Sequence, residues 1–193
     1  MQTNINVIIL SGGSSKRFGT DKSQTELFGI TLLNHVLNSL PAECEILLVG
    51  DEPINPSRDV KVFREEPIHS GPVAAIAKAL GHVRGEFVAI LATDMPFAGK
   101  LLPKLYENIS TGTDVVIPLD DQNFLQPLCA LYSTAGLKKA IAKLGSVENK
   151  SMRDLMGFLN KKEITLSKDE LALLIDIDSP ADLLRAIEIS KGL

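Results

Sequence analysis

Two segments of this chain carry residues whose types and spacing suit phosphate chemistry. Residues 10–22 read Leu-Ser-Gly-Gly-Ser-Ser-Lys-Arg-Phe-Gly-Thr-Asp-Lys, a glycine- and serine-rich cationic loop directly after the apolar run 5–10. Gly12 and Gly13 let the backbone approach an anion closely, and successive amides can point at its oxygens, joined by those of Ser11 and Ser14. Arg17 and Lys22 bring full positive charge to the same spot. The second segment, Thr93-Asp94-Met95-Pro96-Phe97, follows the apolar run 87–91 and puts a carboxylate just past a buried strand. A hard divalent cation such as Mg²⁺ takes oxygen ligands and is usually held by one or two carboxylates together with the substrate's phosphates, a role that suits Asp94. An acid two residues before a proline also suits a turn or helix cap. From the residues alone both readings stand.

These segments need a scaffold that brings strand ends together, and the chain supplies one. Short β-rich runs at 7–10, 45–49, 60–63, 87–91, 114–118, 128–132, 163–166 and 174–177 alternate with helical patterns. Leu32, Leu33, Val36, Leu37 and Leu40 keep one apolar face, as do Val73, Ile76, Ala77, Leu80 and Val83, and again Leu101, Leu102, Leu105 and Ile109. Alternation of this kind predicts an α/β fold, with a mainly parallel, Rossmann-like sheet covered by helices on both faces. In such a sheet ligands collect beyond the carboxyl ends of the strands, where both segments fall. The last helix is announced by Ser179-Pro180-Ala181-Asp182: an N-cap, a proline at the first helical position and a capping-box acid. The polar stretch 145–150 is too short to separate two domains, so residues 1–193 are expected to form one.

Bulk properties narrow the function. At 193 residues and 45% hydrophobic content the chain can bury a full core. A net charge of -4 argues against a basic nucleic-acid-binding surface. No apolar run reaches the roughly 18 residues that a membrane span requires. The expectation is a cytoplasmic protein with neither nucleic acid nor membrane as partner. Cys44 and Cys129 lie far apart, which suits buried free thiols better than a disulfide framework or a zinc site. His35, His69 and His82 are expected at the surface or in helix packing.

The opening loop matches neither of the two most familiar phosphate loops. Walker A and the dinucleotide fingerprint both need glycine spacings that are absent here, where Gly12-Gly13 is followed by no glycine until Gly19. The pattern Leu-x-Gly-Gly-x-Ser-x-Arg-x-Gly-x-Asp-Lys instead resembles the signature of the molybdenum cofactor guanylyltransferases, a branch of the nucleotide-diphospho-sugar transferase-like nucleotidyltransferases. Other segments are similar to that family in order along the chain. Asp94-Met95-Pro96-Phe97 resembles its magnesium motif, Ser70-Gly71-Pro72-Val73-Ala74-Ala75-Ile76 its Gly-Pro helix start and Gln126-Pro127-Leu128-Cys129-Ala130-Leu131-Tyr132 its Gln-Pro strand. Ser151-x-Arg153-x-Leu155 resembles a helix start near the pterin substrate.

The resemblance implies transfer of GMP from GTP to the terminal phosphate of molybdopterin or its molybdenum-loaded form, with Mg²⁺ as cofactor. GTP and molybdopterin would be the small-molecule partners, with room for transient contacts with other molybdenum cofactor proteins. It implies nucleotide contacts from Leu10, Ser11, Gly12, Gly13, Ser14, Lys22, Glu65 and Asp94, and catalytic roles for Arg17, Lys22 and Asp94. Asp94 would be the metal ligand, and Gln126, Arg153 and Asp178 would meet the second substrate. Plainer readings exist for these last residues: a surface turn for Gln126, an exposed helix charge for Arg153 and a helix cap for Asp178. Three departures stand out. Val49-Gly50-Asp51 replaces a common asparagine, and Arg64-Glu65-Glu66 replaces an aspartate. Asp176-Ile177-Asp178-Ser179-Pro180 replaces Asn-x-Asn-Thr-Pro. Carboxylates accept but do not donate hydrogen bonds at neutral pH, which puts pterin contacts there in question and raises the alternative that Asp176 or Asp178 serves the metal. A related cytidylyl- or sugar-nucleotidyltransferase, or a nucleotide-binding module without turnover, would share much of the loop. CTP-using relatives, however, tend to carry alanine at the place of Gly12.

Lys22 stands where its ammonium can reach the phosphates, and a charge contact formed mostly in the transition state acts on turnover. Lys22→Ala is therefore expected to cost at least about 2 kcal/mol of transition-state stabilisation, on the scale of losing one oxyanion donor. Equal turnover of mutant and wild type at saturating GTP would contradict it.

Overall fold

The computed structural model describes residues 5–11 and 25–192. Gly12, Gly13, Ser14, Arg17 and Lys22 lie outside them. The opening strand β1 (Ile5–Ser11) is apolar on both sides, and Val7, Ile8 and Ile9 are wholly buried, as the central strand of a sheet covered on both faces must be. Next comes a hairpin of β2 (Glu26–Leu27) and β3 (Ile30–Thr31). Its two turn residues, Phe28 and Gly29, both have positive φ (56° and 72°), as a tight hairpin requires. Thr31 then caps α1 (Leu32–Ser39), its hydroxyl accepting from the amide of Asn34.

The rest of the chain alternates as expected. The strands β4 (Glu45–Gly50) and β5 (Lys61–Phe63) lead to α2 (Pro72–Leu80) and β6 (Phe87–Ala92). A 3₁₀ turn at Ala98–Leu101 runs into α3 (Leu102–Glu107), followed by β7 (Val115–Pro118), β8 (Cys129–Ser133) and α4 (Thr134–Leu144). The chain continues through α5 (Met152–Met156), β9 (Lys161–Ile164), α6 (Lys168–Ala172) and α7 (Pro180–Ser190). Seven strands form one sheet in the order β5-β4-β1-β6-β8-β7-β9, with β8 antiparallel to both neighbours and all other pairings parallel. Successive residues of β1 divide between the two faces: Val7 and Ile9 join a core with α1, α3 and α7, while Ile8 and Leu10 join one with α2, α4 and α5. Cys44 and Cys129 are buried in these cores as free thiols, and burial pushes the Cys129 thiol up to about 12. Among the described residues, no helix is long and apolar enough to cross a membrane.

Two expected strands differ. Residues 174–177 form no strand: the segment meets the turn after β6, where the Ile177 amide donates to the Asp94 carbonyl, and both edges of β6 are already paired with β1 and β8. The strand expected at 163–166 begins two residues earlier, at Lys161. Its register is set by Asn160, whose carbonyl accepts from the amides of Asp114 and Val115 and whose own amide donates to the Asp114 carboxylate. The exposed lysine at position 161 is at home on an edge strand, where charge discourages further pairing.

The end of α1 is closed by an arginine from a distant loop. Arg58 donates to the carbonyls of Leu37 and Leu40 at 3.3 Å each, and to those of Ala42 (2.7 Å) and Cys44 (3.2 Å), so one guanidinium satisfies four acceptors around the helix C-terminus. Removing it leaves carbonyls that only water can reach in part. Arg58→Ala should lower stability by about 1–3 kcal/mol, and the melting temperature by roughly 2–4 °C per kcal/mol for a chain of this size. An unchanged thermal melt would show the cap to be dispensable.

Candidate active site

Parallel strands deliver their following loops to one edge of the sheet, and the candidate site sits at that edge. Leu10 of β1 pairs with Ala92 of β6, and the buried Thr93 then donates both its amide (3.2 Å) and its hydroxyl (3.3 Å) to the Leu10 carbonyl. Asp94 follows in a tight turn, closed by the Met95 amide donating to the Ala92 carbonyl (3.3 Å), and its side chain is half-buried. The C-terminal segment then joins. The amide of Ile177 donates to the Asp94 carbonyl at 3.0 Å, and the Ile177 side chain is wholly buried. Asp176 and Asp178, on either side of it, are exposed.

This arrangement brings three carboxylates together. One oxygen each from Asp94, Asp176 and Asp178 lies within 4.8 Å of the others. An all-oxygen, triply acidic donor set suits a hard divalent cation, so the residues present fit a magnesium or manganese ion. The alternative duty, capping the last helix, is done by other residues. Ser179 accepts from the Asp182 amide (3.3 Å), and the Asp182 carboxylate takes the Ser179 hydroxyl (2.6 Å) and the Asp178 amide (3.3 Å). Asp182 thus accepts from Asp178 where a full capping box would have it accept from the N-cap amide.

On the β4 and β5 side, Ser11 lies opposite Gly50. Gly50 has φ 152°, and a Cβ there would sit 1.9 Å from the Ser11 carbonyl oxygen, so only glycine fits this approach. Asp51 is ion-paired with Arg64, which ties the loops after β4 and β5. Glu65 spends one carboxylate oxygen on its own loop, accepting from the His69 amide at 3.0 Å, where His69 takes a positive φ of 65°.

On the other side, the approach to β8 meets β6 directly, since the Leu128 carbonyl accepts from the Ala92 amide at 3.2 Å. Gln126 is half-buried; its amide donates to the Pro118 carbonyl (3.0 Å), and its side-chain Nε2 donates to Asp120 Oδ2 (2.9 Å). The loop before α5 folds onto the start of α2 through the Asn149 amide, which donates to the Ser70 carbonyl at 2.7 Å. Arg153 is therefore carried near the Gly71-Pro72 helix start, exposed, on a helix capped by Ser151. The Ser151 hydroxyl and amide hold the Asp154 carboxyl below its ordinary value. His35 and His82 pack as expected: His35 Nε2 lies 2.7 Å from the Leu27 carbonyl, and the His82 ring stacks obliquely on Phe63.

The structure thus gathers Leu10, Ser11, Asp94, Asp178, Gln126 and the Glu65 loop along one edge. It adds Asp120, which was not among the expected site residues, and it brings Asp176 as well as Asp178 beside Asp94, where the sequence had raised either acid as serving the metal. For Asp176 the signal was present, because two acids flanking one apolar residue share a face of an extended segment.

The family model of the MobA-like NTP transferase domain matches residues 7–164. The chain belongs to that family. A relative from Mycobacterium avium, named a "probable molybdenum cofactor guanylyltransferase", is 29% identical over 188 residues, covering 91% of both chains. One from Clostridium perfringens with the same name is 30% identical over 126 residues, which are 64% of this chain and 63% of that relative's length. The crystal structure of molybdopterin-guanine dinucleotide biosynthesis protein A from Archaeoglobus fulgidus superposes with a TM-score of 0.72 at 26% identity, over 97% of this chain and all of that one. The sheet and its covering helices are those of the nucleotide-diphospho-sugar transferase fold.

The carboxylate cluster can be tested directly. Asp94→Asn should weaken Mn²⁺ binding, followed by electron paramagnetic resonance, by at least about tenfold, which is roughly 1.4 kcal/mol. Asp176→Asn and Asp178→Asn should each weaken it as well. If all three variants bind Mn²⁺ as tightly as wild type, the cluster is not a cation site.

Proposed function

We propose that this chain transfers GMP from GTP to the terminal phosphate of molybdopterin or of its molybdenum-loaded form. The observation that carries this reading is the placement of Asp94, with Asp176 and Asp178 beside it, at the end of the strand that pairs with the one leading into the glycine loop. Support also comes from membership of a nucleotide transferase family and from relatives named for guanylyl transfer to the molybdenum cofactor. The reading places the reaction in the cytoplasm, a compartment that suits two buried, unbridged thiols.

In this reaction an oxygen of the acceptor phosphate forms a bond to the α-phosphorus of GTP. The bond from that phosphorus to the bridging oxygen breaks, and pyrophosphate leaves with the electron pair. The nucleophile needs no strong base, because a phosphate monoester with a second pKa of roughly 6 is already largely dianionic at pH 7. The protein has to align two anions that repel each other and to stabilise the charge on the leaving group. Backbone amides of Ser11, Gly12, Gly13 and Ser14 are proposed to cradle the triphosphate, with Lys22 and Arg17 offsetting its charge. Asp94 would hold the metal, with Asp176 and Asp178 completing its acidic side. When bound there, a magnesium ion supplies positive charge to the phosphate oxygens. Glu65, with one oxygen committed to its own loop, offers the other to a base edge or ribose hydroxyl. Arg153 is proposed to meet the acceptor's phosphate, a task that suits a planar guanidinium.

Base choice separates this reading from cytidylyl transfer on the same fold. Gly12 lacks the methyl group of the alanine that CTP-using relatives tend to carry, and that lack is proposed to favour a purine. One methyl group changes discrimination by only about 1–3 kcal/mol, so Gly12→Ala should weaken GTP use without converting the enzyme to CTP. In competition kinetics with the four ribonucleotides, wild type should prefer GTP. A kcat/KM for CTP at or above that for GTP would overturn the guanylyl assignment.

A further inference from the structure

Gln126 does not reach the site edge unconstrained. The segment between β7 and β8 is a tight turn built on one carboxylate. Oδ1 of Asp120 accepts from the amides of Gln122 (2.9 Å) and Phe124 (2.8 Å), and Oδ2 accepts from Gln126 Nε2 (2.9 Å). The backbone of the turn closes around it, with the Asp120 amide donating to the Phe124 carbonyl (3.0 Å) and the Asn123 amide to the Asp120 carbonyl (3.1 Å). A carboxylate only accepts. The Gln126 amide therefore has one allowed orientation, with Nε2 toward Asp120 and Oε1 turned away from it. Among the described residues no protein donor meets that Oε1.

We infer that Asp120 is a positioning residue that fixes the polarity of Gln126, so that the site edge beside β6 presents a hydrogen-bond acceptor rather than a donor. The group it would recognise is a donor edge on the acceptor substrate: the ring N–H and exocyclic amine of a pterin. The sheet order favours the acceptor substrate over the nucleotide base. Gln126 enters β8, whereas Gly50 and Glu65, on the nucleotide side, follow β4 and β5, and β1 and β6 lie between. At about 4.8 Å per strand, β8 and β4 are roughly 14 Å apart. The inference rests on the guanylyl-transfer reading, and its test separates the two.

The polarity can be inverted without dismantling the turn. In Asp120→Asn the remaining oxygen keeps the Gln122 and Phe124 amides, but a donor now faces Gln126. The glutamine amide must turn over, offering its NH₂ to the site in place of its oxygen. Gln126→Glu alone sets two carboxylates against each other. Combined with Asp120→Asn, the glutamate accepts from the new amide with one oxygen and presents the other to the ligand. Molybdopterin binding, followed by pterin fluorescence, and steady-state turnover with GTP would be measured for wild type, both single variants and the double variant. Asp120→Asn should raise the molybdopterin Kd and KM at least tenfold, with the KM for GTP within twofold of wild type. The double variant should recover most of that loss. A double variant no better than the singles, or a molybdopterin Kd indifferent to Asp120→Asn, overturns the inference while leaving the reaction in place. Tight molybdopterin binding that responds to the variants, without turnover of GTP, overturns the reaction and upholds the polarity device. A wild type that does not bind molybdopterin overturns both.

Discussion

The site depends on the last rung between β1 and β6, where the amide and hydroxyl of Thr93 both donate to the Leu10 carbonyl. That rung makes the end of the first strand and the end of the sixth a single rigid platform. From one side of it departs the glycine loop, and from the other departs Asp94. Residues more than 80 positions apart in sequence thus become neighbours, through a backbone pairing that no surface loop could enforce. The antiparallel direction of β8 extends the same platform. A parallel strand would have placed its beginning at the opposite edge, whereas β8 enters from the site side, and the Leu128 carbonyl locks that entry to Ala92.

The C-terminal segment reaches the platform by a different route. It forms no strand there, both edges of β6 being taken; the Ile177 amide donates to the Asp94 carbonyl, Leu173 and Ile177 are buried in the core, and Leu174 and Ile175 pack against it. Burying an isoleucine contributes about 1.5–3 kcal/mol, and a backbone hydrogen bond about 1 kcal/mol. Together these offset the tendency of like charges to part, because seating Ile177 holds Asp176 and Asp178 toward Asp94. A cation among the three carboxylates would strengthen the same attachment, linking metal binding to the docking of α7.

Much of the sheet was legible because its central strands are apolar on both faces and bounded by turn residues. Pattern reading fails where a longer-range contact overrides it. Residues 174–177 are as apolar as a strand but meet the turn after β6, whose two edges are already taken, and β9 is drawn two residues forward by the hydrogen bonds of Asn160 with Asp114. The β2–β3 hairpin, with two residues per strand, is too short for any period to register. At the site, Asp94 was visible as an acid just past a buried strand, and Gln126 only through the resemblance of its segment to a Gln-Pro strand motif. Asp120 was not, because its importance lies in which side-chain atom its second oxygen accepts from, and only the closed turn shows that.

Asp176 and Asp178, where the family resemblance implies asparagines, bear on more than the proposed cation. Asparagines at the end of this fold's last loop can both donate and accept, and aspartates at neutral pH can only accept. In the proposed reaction, donors for the acceptor substrate must then come from elsewhere, from Arg153 and from amides at the Gly71-Pro72 helix start, against which the loop before α5 is folded. In the same reading the fixed oxygen of Gln126 is the acceptor offered to the donor edge of the pterin, while the three carboxylates are kept for the cation. On the proposed reading such a division would sort a pterin phosphate by polarity, its phosphate toward the helix starts and the arginine, its ring amine and N–H toward Gln126. Orientation of the nucleophile then follows from where donors and acceptors sit along one sheet edge.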